Sequence, residues 1–211
     1  MTSAYQPSML DLASGPATEL EPLPGRLTRH RLTAGAWVDV FPGWLRGSDA
    51  VFDTLLEIDW RADRRQMYDA VVDVPRLLRW FGADEALPHP VLTEARAALS
   101  THYACELGEA FVTAGMCLYR DGRDSVAWHG DTIGRSARHD TMVAILSLGS
   151  PRHLTLRPRA GGHETLRLPL GHGDLIVMGG SCQRTWEHAV PKTAKPVGPR
   201  ISVQFRPVDV A

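Results

Sequence analysis

The sequence predicts a mainly β protein in which helices of the N-terminal half support a double sheet. Apolar residues before residue 109 recur at helical spacing, whereas from Ala110 onward short apolar segments alternate with turns such as Asp-Gly, Gly-Ser-Pro and Gly-Gly. About eight strands at this spacing are typical of a sandwich or barrel rather than of alternating strand–helix units. Helices that lead into an eight-stranded double sheet form a jelly roll, or double-stranded β-helix, here with an N-terminal helical or lid extension.

Length and composition favour a single folded domain. The chain has 211 residues, of which 44% are hydrophobic and 22% charged, as in ordinary globular proteins. Residues 1–28 are rich in Pro, Ser, Gly and Ala and lack periodicity, which predicts a flexible N-terminal arm. The domain then covers residues 29–211, with helices and a substrate-lid segment expected in residues 29–109 and the jelly-roll core in residues 110–211.

Two helices are predicted ahead of the core. The first starts at Ser48 and ends near residue 58, and the second covers residues 92–106 with Gly108 at the C-cap position. One face of the second helix carries its apolar side chains, which are Leu92, Ala95, Leu99 and Tyr103. The predicted strands of the core are residues 111–119, 125–129, 142–148, 153–157, 165–168, 174–178, 185–190 and 200–205.

Charge and cysteine content argue against several classes of protein. A net charge of −1 disfavours a strongly cationic nucleic-acid binder but leaves room for a local basic groove. The three cysteines are odd in number and widely spaced, unlike a disulfide framework or a structural zinc cluster. The N-terminus lacks the layout of a signal peptide, and no run approaches the ~20 apolar residues that span a bilayer. We therefore expect a cytoplasmic protein with no membrane partner.

The stretch SVAWHGD, residues 125–131, ends a predicted strand with a histidine and an aspartate two positions apart. Residues i and i+2 of a strand point to the same face, so His129 and Asp131 project together and Gly130 leaves room between them. An imidazole and a carboxylate are two of the three ligands of non-haem Fe(II) oxygenases, and His188 in RTWEHAVPK offers a third from a distant strand. Two histidines and a carboxylate also describe catalytic zinc sites, and His-x-Asp at a strand end is common by chance, so the ligands alone leave the metal open.

The C-terminal stretch PRISVQFRP points to an anionic partner. Arg200 and Arg206 lie six residues apart on an extended segment, so both face the same side. Two arginines inside a barrel need anionic partners, and a guanidinium clamps a carboxylate in a bidentate manner. A small diacid with a metal-chelating end, next to the three ligands, indicates 2-oxoglutarate. The alternative is an ordinary strand with surface arginines, since Ile201, Val203 and Phe205 face the other way.

Together these stretches resemble the AlkB family of Fe(II)/2-oxoglutarate-dependent dioxygenases, of the type that repairs alkylated nucleic acid. LYRDGRDSVAWHGD is similar to the family's N-x-Y…H-x-D block, and PRISVQFRP is similar to its closing R-x-N-x-T-F-R. SLGSPRHLTLRP resembles the strand pair that follows, and LPLGHGDLIVMGGSCQRTWEHAVPK resembles the segment that delivers the distal histidine. The matches lie in order over residues 111–207, and VPRLLRWFG more weakly resembles part of the nucleotide-recognition lid.

The resemblance implies a role for each matching residue. Its catalytic and metal-binding residues are His129, Asp131 and His188, which would hold Fe(II) with 2-oxoglutarate and O2 as cosubstrates. The residues that match the 2-oxoglutarate site are Tyr119, Arg200, Arg206, Ser202 and Cys117. Cys117 and Ser202 stand where the family has two asparagines, and Gln204 stands in place of a threonine.

The substrate lid departs further from the family. Only residues 83–87 separate WFG from PHPVL, where the family has a longer hairpin with an aromatic residue that stacks on the flipped base. Other aromatic residues would have to stack in its place, and arginines near the lid would meet phosphates. The candidate substrate contacts are Trp80, Phe81, Trp128, Arg76 and Arg79. Each also fits a structural role, because tryptophan is most often core and scattered arginine is most often solvated.

The resemblance implies oxidative demethylation of N-alkylated bases in DNA or RNA, with release of formaldehyde, succinate and CO2. The nucleic acid would be single-stranded, or its base flipped out of a duplex, and we expect the protein to act as a monomer. Two alternatives stay open. One is the same iron chemistry on a small molecule or another non-nucleic-acid substrate, which the short lid favours. The other is a binding jelly roll without turnover.

Overall fold

The computed structural model describes residues 17–67, 70–131, 139–162, 165–208 and 210 of the chain. Its α-helices are α1 (Ser48–Leu56), α2 (Pro90–Leu107) and α3 (Cys182–Thr185). In chain order its strands are β1 (Glu19–Leu20), β2 (Thr28–Arg31), β3 (Ala36–Phe41), β4 (Leu45–Arg46), β5 (Arg64–Met67), β6 (Ala70–Asp73), β7 (Leu77–Phe81), β8 (Thr113–Tyr119), β9 (Val126–His129), β10 (Val143–Gly149), β11 (Arg152–Pro158), β12 (Leu166–Leu170), β13 (Asp174–Gly180), β14 (Trp186–Val190) and β15 (Arg200–Arg206). Within these ranges, no helix has both the length and the apolar character needed to cross a membrane.

Two antiparallel sheets form the body of the protein. The larger sheet has seven strands in the order β2-β3-β13-β10-β15-β8-β7, and the smaller has four in the order β12-β11-β14-β9. The strand pairs β1–β4 and β5–β6 form two separate ribbons. Neighbours such as β10 and β15 are far apart in the chain, so the strands are joined by crossovers between the sheets, as in a jelly roll. The mainly β fold predicted from the sequence is confirmed.

The larger sheet is apolar on both faces because it is covered on both. On one face the helices contribute Leu55 and Leu92, which pack in one cluster with Val203 of β15. On the other face Ile145 of β10 packs in a second cluster with Leu156 of the smaller sheet. Alternate residues of each central strand therefore point to the helices or to the smaller sheet.

Helix α2 matches the predicted helix closely. The ring nitrogen Nδ1 of His89 accepts a hydrogen bond from the backbone N–H of Val91 at 3.2 Å and caps the first turn. Gly108 ends the helix with φ of 75°, a left-handed conformation that glycine adopts without the steric penalty of a side chain. The four residues predicted on its apolar face are all fully buried, and they are Leu92, Ala95, Leu99 and Tyr103.

The described end of the predicted arm packs on the domain. β1 pairs with β4, and Leu23 is buried in the core. The indole N–H of Trp44 donates to the backbone oxygen of Glu21 at 2.9 Å. Local composition did not reveal this packing because the partners lie some 20 residues further along the chain. Residues 1–16 lie outside the described ranges.

Part of the larger sheet comes from the region predicted to supply helices and lid. β3 was not predicted because Asp39 interrupts its apolar run. In the structure Asp39 is buried, and it accepts hydrogen bonds from Arg29 at 2.7 Å and from the Tyr103 hydroxyl at 2.9 Å. These partners satisfy a carboxylate that would otherwise be costly to bury. β7, which contains most of VPRLLRWFG, extends the sheet beside β8.

Candidate metal centre and cosubstrate cavity

A cavity of about 1010 Å³ lies between the two sheets. The larger sheet lines it with side chains of β7, β8 and β15, and the smaller sheet lines it with side chains of β9 and β14. All three residues predicted as metal ligands and all five predicted to hold 2-oxoglutarate line this cavity.

The two histidines of the predicted ligand set lie on neighbouring strands. His129 of β9 is directly opposite His188 of β14, and their ring centroids are 4.2 Å apart. The Nδ1 atom of His129 lies 2.8 Å from the backbone oxygen of Ala127, an acceptor, so this nitrogen carries the proton. The Nε2 atom of His129 is then the free lone pair, and it lies 3.9 Å from Oδ1 of Asp131.

Asp131 lies two residues after His129 and is only 4% exposed. Its backbone N–H donates to Oε1 of Gln183 at 2.9 Å, which ties the turn after β9 to helix α3. Its Oδ1 accepts from Nη2 of Arg206 at 3.3 Å. Its Oδ2 lies 3.8 Å from Nε2 of His188 and is buried without a hydrogen-bond partner.

Electrostatics favour the protonation states that metal ligands require. Burial, assisted by His129 and Arg206, lowers the pKa of His188 to about 3 against the opposing effect of Asp131. Burial acts to raise the pKa of Asp131, but Arg206 and the two histidines outweigh it, and the pKa is lowered to about 2. Near neutral pH the site therefore presents a carboxylate and a neutral imidazole, the forms that bind metal.

The three side chains fit a divalent cation. Their potential ligand atoms all lie within 4.8 Å of one another. A buried carboxylate oxygen without a donor is unfavourable, and a cation between Asp131 and the histidines would satisfy it. Two imidazole nitrogens and one carboxylate oxygen form the donor set of non-haem Fe(II) oxygenases.

Glycine is required at position 130, between the first two ligands, because another segment of backbone approaches it closely. A Cβ atom at this position would lie 2.3 Å from the backbone oxygen of Gln183 and 2.9 Å from Nη2 of Arg159. Because a backbone atom cannot rotate away, Gly130→Ala must shift either α3 or the turn that carries Asp131.

We expect Gly130→Ala to weaken Fe(II) binding about 10- to 100-fold, the usual effect of disturbing groups that orient metal ligands. Anaerobic titration calorimetry measures this affinity. Gly82→Ala is the matched control, because a Cβ there meets nothing within 4 Å. An unchanged Fe(II) affinity in Gly130→Ala would show that the turn does not depend on the close contact between residue 130 and the backbone of Gln183.

Arg200 lies at the buried end of the cavity. Its Nε donates to Oγ of Ser147 at 3.0 Å, whereas its Nη1 is buried without a partner. Its guanidinium carbon lies 5.2 Å from the ring centroid of Tyr119, the residue opposite it on β8. Burial lowers the pKa of Arg200, which indicates a cation that lacks a full complement of anionic partners.

Arg206 lies at the other end of the same strand, next to the metal ligands. Its Nη2 donates to Asp131 and, at 3.2 Å, to Oε1 of Gln204. Its Nε is buried without a partner. Arg200 and Arg206 therefore face the same cavity, and each has an unused N–H donor.

The residues between the two arginines form a small polar network. Gln204 donates through Nε2 to Oγ of Ser202 at 2.7 Å, and the same nitrogen lies 3.4 Å from Sγ of Cys117. Ser202 is also hydrogen-bonded to Tyr119, whose pKa is raised to about 12 mainly by burial. In the protein Gln204 thus bridges the two positions at which the sequence departs from the family's asparagines.

Three residues that position the site are not apparent from the sequence. Gln183 holds the backbone of Asp131, and Ser147 holds Arg200. Arg152 is buried and donates to the backbone oxygens of Asp121, Asp124 and Pro191 at 2.7 to 3.0 Å, which joins the segments next to β9 and β14. Each of these contacts spans at least 28 residues, and no local pattern signals them.

Register on β7 sorts the candidate substrate contacts into two groups. Trp80 is opposite Gly115 of β8, which in turn is opposite Gln204 of β15, so Trp80 faces the cavity. Arg76, four residues earlier, also lines the cavity, and its Nη1 donates to the backbone oxygen of Ser125 at 3.1 Å.

Of the remaining three candidates, Phe81 does not line the cavity, whereas Arg79 and Trp128 border it. Phe81 is buried in the core on the helix side of the larger sheet, and the guanidinium of Arg79 covers it at 4.5 Å while pairing with Glu85. Trp128 precedes His129 on β9, so its side chain points to the opposite face of the smaller sheet. There the guanidinium of Arg157 lies 4.2 Å from its ring centroid. The strand alternation that unites His129 with Asp131 therefore separates Trp128 from them.

Comparison with known proteins places this geometry in a family. A model of the 2OG-Fe(II) oxygenase superfamily matches residues 60–206. The chain is 32% identical over 192 residues to Alpha-ketoglutarate-dependent dioxygenase alkB homolog 3 of Bos taurus, covering 79% of this chain and 64% of the relative. It is 29% identical over 126 residues to DNA oxidative demethylase ALKBH2 of Bos taurus, covering 56% of this chain and 44% of the relative.

A solved structure shares the fold at low sequence identity. A Trichoplax adhaerens prolyl hydroxylase, in complex with a peptide fragment of a hypoxia inducible factor, superposes with a TM-score of 0.61 and 13% identity, covering 84% of each chain. At this identity the likeness supports the jelly roll alone, whereas the family model covers the smaller sheet, all of the larger sheet except β2 and β3, and every predicted ligand. The chain belongs to the 2OG-Fe(II) oxygenase superfamily, and within it the chain is similar to alkB homolog 3.

Proposed function

We propose that the protein is an Fe(II)- and 2-oxoglutarate-dependent dioxygenase that demethylates N-alkylated bases in DNA or RNA, with release of formaldehyde, succinate and CO2. One observation carries the cofactor part of this proposal. A buried carboxylate oxygen of Asp131 and buried N–H groups of Arg200 and Arg206 are all unsatisfied, and all belong to residues that line one cavity. A metal ion and an anionic chelator satisfy both kinds of group at once.

His129, Asp131 and His188 would hold Fe(II) through Nε2, Oδ2 and Nε2. Such a centre supplies oxidation of a substrate C–H bond by O2, coupled to conversion of 2-oxoglutarate to succinate and CO2. Arg206 holds Oδ1 of Asp131, which leaves Oδ2 for the metal. The proton on Nδ1 of His129 is bound to a backbone carbonyl, which fixes the tautomer with Nε2 free.

Arg200 and Arg206 would bind 2-oxoglutarate, one at each end of β15. Arg200 offers its unused Nη1 to a carboxylate at the buried end, where Ser147 and Tyr119 fix the guanidinium. Ser202 and Cys117 lie between the two arginines, opposite each other on β15 and β8. The hydroxyl of Ser202 is the stronger hydrogen-bonding group of this pair.

Two observations support the proposed substrate class, namely the relatives of the chain and the limited access of a base to the metal ligands. One relative is named a DNA oxidative demethylase, and the chain spans 64% of the length of its alkB homolog 3 relative from Bos taurus. Asp131 and His188 are buried, so a base inside a duplex cannot reach them. The base would be single-stranded, or flipped out of the duplex, and the protein would act as a monomer. When the methyl group on nitrogen is hydroxylated, the product releases formaldehyde and leaves the repaired base.

An assay of the purified protein tests this function. The protein is supplied with Fe(II), ascorbate, 2-oxoglutarate and air, together with a single-stranded oligonucleotide that contains one 1-methyladenine. We expect formaldehyde and a demethylated oligonucleotide to form. Both products should require the methyl group and 2-oxoglutarate. Succinate without change to any alkylated base would overturn the substrate assignment, and the absence of succinate from iron-loaded protein would overturn the enzymatic one.

A further inference from the structure

Cys117 places a thiol in the wall of the cavity between the two sheets. The residue is 7% exposed and lines the cavity. Its partners on the neighbouring strands are Leu78 of β7 and Ser202 of β15. Its Sγ accepts a hydrogen bond from Nε2 of Gln204 at 3.4 Å. The proposed demethylation has no step that uses a thiol, so this nucleophilic group has no role in that reaction.

The register of β8 and β15 places this thiol between two arginines that lack anionic partners at the cavity wall. On the cavity face, the pair Tyr119 and Arg200 forms the row next to Cys117, and Arg206 lies two rows away in the other direction. Nη1 of Arg200 and Nε of Arg206 are buried without a hydrogen-bond partner. A dicarboxylate anchored at Arg200 and directed towards Arg206 therefore passes over the row of Cys117.

Electrostatics show that Cys117 and Arg200 are close enough to interact. Burial lowers the pKa of Arg200, whereas negative charge on Tyr119 and on Cys117 opposes this effect. An anion held by Arg200 would thus be bound within the surroundings of the thiol. A dicarboxylate site that contains a nucleophile favours reaction with any dicarboxylate whose carbon chain is electrophilic.

The other two cysteines of the chain lie outside this site. Cys105 is exposed on α2, and Cys182 is 2% exposed in the core cluster between the sheets. Neither of them lines the cavity. Burial, assisted by Asp131, raises the pKa of Cys182 to about 12, which keeps that thiol protonated near neutral pH. Cys105 therefore serves as an accessible internal control and Cys182 as an unreactive one.

We propose that Cys117 is a covalent modification site for unsaturated dicarboxylates, which Arg200 binds through one carboxylate and which the thiol attacks at the adjacent double bond. The modification rests on the anion site of the proposed function, but it does not depend on demethylation. It adds to that function a reaction that closes the cosubstrate site.

The reaction is an addition that needs no oxidant and no leaving group. The thiolate is the nucleophilic form of cysteine, and its sulfur attacks one carbon of the double bond. The S–C bond forms as the π bond breaks, and the electron pair passes to the other carbon, where the attached carboxylate stabilises it. That carbon then takes up a proton, so that S and H of the thiol are added across the double bond. The product leaves a dicarboxylate on Cys117, in the space beside Arg200 that 2-oxoglutarate would occupy.

Fumarate is the probe for this reaction, and its neutral dimethyl ester is the matched control because it carries the same double bond without charge. The reduced, full-length protein is incubated with each reagent, and modification of every cysteine is followed by peptide mass spectrometry. We expect fumarate to modify Cys117 faster than Cys105, and we expect the ester to modify the exposed Cys105 faster. Addition of 2-oxoglutarate with Mn(II) should protect Cys117 from fumarate and leave the rate at Cys105 unchanged.

Arg200→Leu tests whether the arginine directs the reagent to the thiol. We expect this variant to slow the reaction of fumarate with Cys117 about 10- to 150-fold, the effect of losing one hydrogen bond to a charged group. The reaction of Cys117 with the dimethyl ester should keep its rate, which shows that the thiol stays accessible and the cavity folded. Arg123→Leu, at an exposed arginine, should react with both reagents as the wild type does.

Two results would overturn the modification site. One is modification of Cys105 by fumarate while Cys117 stays unmodified, and the other is an equal rate of reaction at Cys117 in wild type and Arg200→Leu. The demethylase function fails in a different way. If fumarate modifies Cys117 through Arg200 but the wild type forms no formaldehyde from the methylated strand, the demethylase function is overturned and the modification site stands. If the strand is demethylated and Cys117 resists fumarate, the reverse holds.

Discussion

Asp131→Asn abolishes metal binding and turnover if the three side chains form the metal centre. The substitution keeps the size of the side chain and leaves the backbone hydrogen bond to Gln183 in place. It removes the negative charge and turns one of the two acceptor oxygens into a donor that faces the histidines. Because even groups behind the ligands are worth about 10- to 100-fold in affinity, loss of a ligand should exceed about 100-fold. Anaerobic calorimetry with Fe(II) and succinate formation measure the two effects.

Asp59→Asn provides the matched control for this experiment. The Asp59 side chain is 77% exposed and pairs only with Arg61 on the surface, according to the described contacts. An exposed pair contributes about 0–1 kcal/mol, so metal affinity and turnover should match the wild type. If Asp131→Asn binds Fe(II) as tightly as the wild type, the metal is held elsewhere.

Arg200→Leu raises the 2-oxoglutarate concentration needed for half-maximal turnover by roughly 30- to 5,000-fold. This range corresponds to the 2–5 kcal/mol that follows truncation of one partner of a buried, hydrogen-bonded charge pair. Leucine fills part of the space but donates nothing to a carboxylate. Metal affinity without 2-oxoglutarate should change little, because the polar partner of Arg200 is Ser147 rather than a ligand.

Stability distinguishes loss of cosubstrate binding from unfolding in this variant. Burial lowers the pKa of Arg200, so the free protein holds a desolvated cation there. Replacing such a group by an apolar one is often neutral or stabilising, and the melting temperature of Arg200→Leu should not fall. Arg123→Leu, at a 90% exposed arginine, is the control for both readouts. A normal 2-oxoglutarate requirement in Arg200→Leu would contradict the assignment of the buried anion site.

Strand alternation made much of the fold predictable from the sequence. β15 shows why, since its apolar residues Val203 and Phe205 belong to the helix-side core while Arg200 and Arg206 line the cavity. Because side chains alternate between the two faces of a strand, the orientation of every residue in it follows once one face is known to be apolar. The same rule predicts that Trp128 and His129 point to opposite faces of the strand. The short lid had nevertheless made Trp128 a candidate substrate contact.

Long-range partners account for what the sequence did not reveal. The strand β3 contains Asp39, whose burial makes sense only with Tyr103 64 residues away. Gln183 supports Asp131 from 52 residues away, and Ser147 supports Arg200 from 53. Such contacts depend on the assembled sheets, and a single sequence carries no signal of them.

Site residues can be predicted from the sequence where the chemistry allows only a few residue types. Residues that only support the site cannot be predicted in this way, because many residue types can serve that purpose. Metal ligands must be His or a carboxylate, and a diacid favours Arg, so these positions stand out in the sequence. A stacking surface needs only an aromatic ring, and several were available. The structure distinguishes Trp80 from Phe81 by register and burial.

The metal centre is tested most directly by a crystal structure grown without oxygen in the presence of Fe(II) and 2-oxoglutarate, with data collected at the iron absorption edge. We expect one anomalous peak in contact with His129, Asp131 and His188, and density for the diacid that reaches Arg200. An iron peak bound by other residues, or no peak between these three side chains, would contradict it.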